Sequence, residues 1–126
     1  MLLLTRLKSA QLQQRTLSGK FDMENKGIKP SVALATHREE IRQVVAAHHA
    51  RNVRVFGSVL QGTDTEQSDL DLLVDPTPEM TMLDIGAIRH KLLKMLKMLK
   101  VQVDVLTPNA LPEKFRSAVL AEAKLI

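Results

Sequence analysis

The sequence predicts a small α/β (α+β) domain, a mixed β-sheet with helices packed on it in the order α-β-β-α-β-α. Three observations carry this. The chain of 126 residues is one domain's worth, with 44% hydrophobic and 25% charged residues, an ordinary globular balance. Three short runs alternate apolar and polar side chains at strand period, Asn52–Phe56, Asp69–Asp75 and Val101–Leu106. Between and around them the apolar residues fall at helical spacing.

The first helix is expected from Ser31 to about Ala50, with Val32, Leu34, Ile41, Val44, Val45 and His48 turned inward and Ser31 or the Thr36/Glu39 pair as its cap. Asn52–Phe56 follows as a strand that runs straight into Gly57-Ser58. A loop containing Gly62 leads to the second strand, which stops at Pro76. Thr81 with Asp84 caps a helix of about twenty residues. Its apolar stripe is Ile85, Ile88, Leu92, Met95, Leu96 and Leu99, and its wet stripe Lys91, Lys94, Lys97 and Lys100. The third strand ends at Thr107-Pro108, and Pro112 opens a last helix with Phe115, Val119, Leu120 and Ala123 on its inner side.

Composition excludes several functions. No Cys means no disulfide framework, thiolate metal site or cysteine nucleophile. No apolar run approaches the roughly 20 residues of a membrane span, the opening Met-Leu-Leu-Leu is too short for a signal peptide, and a cytoplasmic location is expected. Three Phe with no Trp or Tyr argue against stacking on single-stranded nucleic acid. The net charge of +4 sits in residues 1–30, where six Lys or Arg face two acids, so the body is neutral and direct nucleic-acid binding is not expected. Residues 1–29 read as a weakly ordered extension or one marginal helix, with Met23 a candidate second start, and residues 30–126 as the domain.

The chemistry lies on the strands. Asp69 and Asp71, two apart, leave the same face of their strand, about 6.6 Å from one another, away from the core and toward solvent, while Leu70, Leu72 and Val74 fill the other side. Asp104 repeats the pattern between Val103 and Val105, and joins the pair if its strand lies alongside. Three close carboxylates call for a hard cation such as Mg²⁺. Upstream, the Gly57-Ser58 turn exposes N–H groups and a hydroxyl to phosphate oxygens, and Gly62 keeps the next loop tight. Singly these are a turn, a strand-edge acidic pair and an edge-strand guard. Together they are the apparatus of two-metal phosphoryl or nucleotidyl transfer. Arg51 and Arg54 flank the turn within possible reach of phosphate, the Lys-rich stripe is a solvated face or a partner contact, and the four His on helices form no metal site.

The stretch GSVLQGTDTEQSDLDLLVD, that is Gly57-Ser58-x10-Asp69-x-Asp71, resembles the signature of the nucleotidyltransferase superfamily that includes DNA polymerase beta. HREEIRQVVAAHHARNVRVFGS and VQVDVLTPNAL resemble its minimal members, the MNT-domain antitoxins paired with HEPN-domain toxins. The resemblance covers about residues 30–126 and implies the polymerase beta-like nucleotidyltransferase fold. It implies that Gly57 and Ser58 hold the triphosphate of ATP, that Asp69 and Asp71 ligate two Mg²⁺ ions, and that Asp104 binds the catalytic metal and helps activate the attacking hydroxyl. The implied reaction moves AMP from ATP to a hydroxyl of the HEPN ribonuclease toxin, a Tyr by preference, releasing pyrophosphate. Two other readings stay open: a small-molecule nucleotidyltransferase of the antibiotic-modifying kind, and a non-catalytic antitoxin that occludes its toxin. Nucleotide preference and oligomeric state, alone or with the toxin, are not legible.

Overall fold

The computed structural model describes residues 27–126, so the reading of residues 1–26, Met23 included, lies outside the described residues. The elements are α1 (Pro30–Ala47), β1 (Ala50–Phe56), α2 (Gly57–Gln61), β2 (Asp69–Pro76), α3 (Met82–Met95), β3 (Gln102–Leu106), α4 (Glu113–Glu122) and β4 (Lys124–Leu125), with single 3₁₀ turns at Lys97–Leu99 and Pro108–Ala110. The α/β class and the order of the six expected elements hold. The additions are α2, the two 3₁₀ turns and β4.

The four strands form one mixed sheet in the order β3-β2-β1-β4. β1 is antiparallel to both β2 and β4, and β3 is parallel to β2. That parallel pair is joined through α3, the crossover a parallel neighbour requires. One face of the sheet buries Val53, Val55, Leu70, Leu72, Val74, Val103 and Val105 against Ala33, Leu34, Ile41 and Val45 of α1 and Ile88 and Leu92 of α3. The opposite face carries a smaller core of Phe56, Leu73, Leu111 and Val119, flanked by Leu106 and Phe115.

Helix ends differ from expectation for identifiable reasons. α1 starts one residue early because Pro30 sits at its first position, with Lys29 as N-cap. The first-turn amide of Ser31 is satisfied from afar, donating to Asp64 Oδ2 at 2.9 Å. Thr36 is not a cap. Its hydroxyl donates back to the carbonyls of Val32 and Ala33, and the helix kinks at His37 (φ −119°, ψ 20°). The helix ends at Ala47, so His48 and His49 lie beyond it, and Val32 is exposed while Ala33 takes the inner place. α3 is 14 residues rather than about twenty, because the backbone tightens into a 3₁₀ turn and reverses at Lys100 (φ 57°). Its predicted cap is real: Asp84 accepts the Thr81 N–H at 2.8 Å. On α4, Val119 is buried as expected but Leu120 faces outward. At the other end of the described chain, the Ile28 N–H donates to the Leu99 carbonyl at 3.2 Å and its side chain packs on the core.

Candidate active site

The strand alternation of β2 fixes where its acids go. Leu70, Leu72 and Val74 are fully buried beneath α1 and α3, so Asp69 and Asp71 emerge on the other face. β3 lies in parallel register beside it, with Asp71 opposite Asp104 and Asp69 opposite Gln102. Neighbouring strands run about 4.8 Å apart, so Asp71 and Asp104 leave the sheet side by side, with Asp69 one step along the same face. The condition set for Asp104, that its strand lie alongside, is met.

The pair is not simply solvent-facing, and this corrects the sequence expectation. Asp71 is only 4% exposed, while Asp69 and Asp104 are half-buried. The cause is the smaller core: Phe56 is the β1 partner of Asp71, and Leu73 follows two residues later on the same face. Arg116 of α4 fastens the roof of that core. Its guanidinium donates to the carbonyls of Pro108, Asn109 and Leu111 at 2.9, 3.3 and 3.1 Å, fixing the turn that delivers Leu111.

Gly57 stands at the end of β1 with φ +72°, and a Cβ there would collide with Oδ2 of Asp71. The glycine and the carboxylate therefore share one small volume, and the backbone of the turn passes directly against the acid. Beyond it the chain does not loop but winds into α2, with Ser58 half-buried in its first turn. Gly62 closes α2 in the left-handed conformation (φ 73°), and the Thr63 N–H donates to the Ser58 carbonyl at 3.0 Å. The following loop is fixed by Ser68, buried, whose Oγ accepts the Thr65 N–H at 2.9 Å, and by the Asp64 contact to α1. The residues Asp64, Ser68 and Arg116 escaped the sequence reading; Leu73, apolar on the acid-bearing face, was the available sign that this face is covered.

Electrostatics favour a cation. From Gly57 to Ile88 the sequence holds seven carboxylates (Asp64, Glu66, Asp69, Asp71, Asp75, Glu79 and Asp84) and no Lys, Arg or His. Arg54, considered for phosphate, is taken by an ion pair with Asp75, and its Nε is buried with no hydrogen-bond partner among the described residues. Arg51 is exposed on the far side of the β1 bulge. Three of the His have partners away from the strand acids: His37 Nδ1 lies 3.3 Å from Glu40, His48 Nδ1 2.7 Å from the Val44 carbonyl and His49 Nδ1 3.3 Å from Asp84. Among the described residues no three His, Asp or Glu side chains are already gathered as a metal cage. The backbone register nonetheless puts an all-oxygen donor set, Asp69, Asp71 and Asp104, on one patch of the sheet, which suits a hard divalent ion.

The chain matches the nucleotidyltransferase domain of the polymerase beta family over residues 39–126. It is 38% identical to a solved structure described as a minimal nucleotidyltransferase, covering 76% of this chain and 95% of that one with a TM-score of 0.64. A protein of Methanocaldococcus jannaschii named as a protein adenylyltransferase is 28% identical over 86 residues, 68% of this chain and 89% of the relative. The fold is also that of a crystallised toxin–antitoxin with AMP-PNP, at 20% identity, 69% of each chain and a TM-score of 0.57. No helix among the described residues is long and apolar enough to cross a membrane. With the carboxylates of β2 and β3 in register and the Gly57 turn packed against them, the chain belongs to the polymerase beta nucleotidyltransferase family.

Proposed function

We propose that the protein is an adenylyltransferase acting on another protein, an antitoxin that silences a HEPN-type ribonuclease toxin by transferring AMP from ATP to one of its hydroxyls, a Tyr by preference. The observation that carries the reading is the in-register pair Asp71 and Asp104 with Gly57 packed against Asp71. The relatives named as protein adenylyltransferases and the toxin–antitoxin of the same fold support the choice of acceptor.

In this reading the acceptor oxygen attacks the α-phosphorus of ATP, the bond to the bridging oxygen of the β-phosphate breaks, and pyrophosphate leaves. Gly57 lets the backbone approach the triphosphate, and the Ser58 hydroxyl and the first amides of α2 hold its oxygens. Asp104 sits beside Asp71, where its carboxylate orients the acceptor hydroxyl and takes up its proton. Asp69, Asp71 and Asp104 would hold Mg²⁺, two ions in the family pattern, which when bound neutralise the charge developing on the phosphates. In this reading the acceptor belongs to a separate protein that docks against this face and brings its hydroxyl in line with the leaving group.

The test is co-expression with a candidate toxin followed by intact-mass analysis. The reading expects AMP additions on the toxin that vanish with Asp69→Asn. A toxin that is neutralised yet unmodified overturns transfer and leaves occlusion as the mode of action.

A further inference from the structure

We infer that the protein carries a second ligand site on the opposite side of the sheet, a pocket that takes a small molecule with an apolar body and a single anionic group. The pocket, about 340 Å³, opens between the C-terminal half of α1, the start of β1 and the residues Leu125 and Ile126. Val45, Val53 and Ile126, all members of the helix-covered core, form its floor. Arg42, Arg51 and Asn52 stand at its rim, no acidic side chain lines it, and the two guanidiniums outnumber any main-chain carboxylate at Ile126. A volume in this range, an apolar lining and a few polar groups gathered at one side are the usual make-up of a small-molecule site.

The wall of the pocket is also where the backbone departs from regularity. Between Arg51 and Arg54, β1 carries one residue more than its partner β2, a bulge that re-aims Arg51 and Asn52. Among the described residues, two of the three non-glycine residues with positive φ bracket this wall, His49 (φ 60°) and Asn52 (φ 53°), a conformation unfavourable for residues with a side chain. Hydrogen bonds hold it: Thr77 donates to the His49 carbonyl through its N–H at 3.0 Å and its hydroxyl at 2.9 Å, and Asn52 Nδ2 donates to Asp75 at 3.0 Å.

The two guanidiniums decide the charge of the ligand. Arg51 forms no direct ion pair with a described residue and only adds to the lowering of the exposed Glu79 carboxyl, and Arg42 meets Glu39 at 3.5 Å on the open surface, where such contacts hold little. An anionic head between them exchanges weak solvent contacts for charge-assisted hydrogen bonds, while its apolar body covers Val45 and Val53. This site shares no residue with the carboxylate face, so it stands or falls independently of the transfer reading.

The experiment is an amide-shift NMR titration of the full chain with three probes of one body and different heads: hexanoate, hexyl phosphate and 1-hexanol. Shifts should cluster on residues 42–46, 50–53 and 125–126 for the two anions, with hexanol binding at least about tenfold more weakly. Arg42→Gln/Arg51→Gln should reduce the anions to the level of hexanol. Ala46→Trp, an exposed position that fills the opening, should abolish all three, whereas Asp71→Asn should leave them unchanged. Equal binding of hexanol and the anions, shifts scattered elsewhere, or no shift at millimolar probe overturns the site.

Discussion

Asp71 of β2 and Asp104 of β3 are register partners across the parallel strand pair, one buried and the other half-buried. They come from strands joined only through the α3 crossover, yet a single backbone pairing sets their separation. The arrangement makes their roles separable by substitution.

Asp71→Asn keeps the shape of the side chain and removes its charge. Nucleotide transfer should fall below a tenth of wild type, a loss of more than about 1.4 kcal/mol in transition-state stabilisation, while the melting temperature moves by a few degrees at most. Asp69→Asn should behave alike. Labelled-ATP transfer together with calorimetry checks both, and a variant retaining most of its transfer would remove the carboxylate from the chemistry.

Asp104→Asn should lower turnover at saturating ATP more than it lowers ATP affinity, because the Gly57-Ser58 turn, proposed to hold the triphosphate, is left intact. Single-turnover kinetics beside equilibrium binding separate the two. Loss of affinity with intact turnover would place Asp104 in binding instead.

At Gly57 the left-handed φ of +72° and the neighbouring Asp71 oxygen both oppose a side chain. Gly57→Ala should cost about 1–2 kcal/mol from the backbone conformation alone, with further loss from the displaced carboxylate, and transfer should disappear. Denaturant unfolding gives the stability change. A fully stable and active alanine variant would mean that the turn tolerates rearrangement.

Arg116→Ala removes three hydrogen bonds to the Pro108–Leu111 turn. Because bonds from a charged donor are worth about 1.5–3 kcal/mol each and their loss is partly offset by water, the expected destabilisation is at least about 2 kcal/mol. Lysine, lacking the planar fork, should not restore it. Thermal unfolding of the two variants is the measurement.

Asp84 caps α3, and the Thr81 backbone N–H holds its carboxyl below the ordinary value of 3.8, with His49 adding to the effect. A carboxyl depressed on folding contributes stability above its unfolded value, and that contribution is lost as pH falls through the lower folded value. An NMR pH titration should give an Asp84 midpoint below 3.8, and Asp84→Ala should flatten the acid limb of the stability profile. A midpoint at or above 3.8 would show that the cap does not hold in solution.

How far the sequence carried the fold depends on the length of each signal. Apolar alternation on Val53/Val55, Leu70/Leu72 and Val103/Val105 suffices to place three strands and to turn the acids onto one face. α2 has five residues, less than two turns, and its glycine start looks like a plain turn. β4 has two residues and exists only as a partner to the edge of β1, so no local pattern announces it. The position of Asp71 was legible and its burial was not, because the cover comes from Phe56, Leu111 and Val119 on other elements. The capping of α1 failed similarly: Pro30 outranked Ser31 and Thr36, and the side chain that serves the Ser31 amide, Asp64, comes from the loop before β2.

The parallel pairing of β2 with β3 also orders the birth of the site. β1, α2 and β2 are consecutive, and their antiparallel pairing is enough to bring Gly57, Ser58, Asp69 and Asp71 together. Asp104 lies beyond α3 and joins them only through the parallel pairing of β3 with β2, and non-local pairings of this kind are slow to form. Among the described residues β3 is an edge strand with a single neighbour, so a chain in which β3 is unpaired would carry the Gly57-Ser58 turn and two acids but not the third. Pairing of β3 with β2 and acquisition of the full carboxylate set are therefore one event.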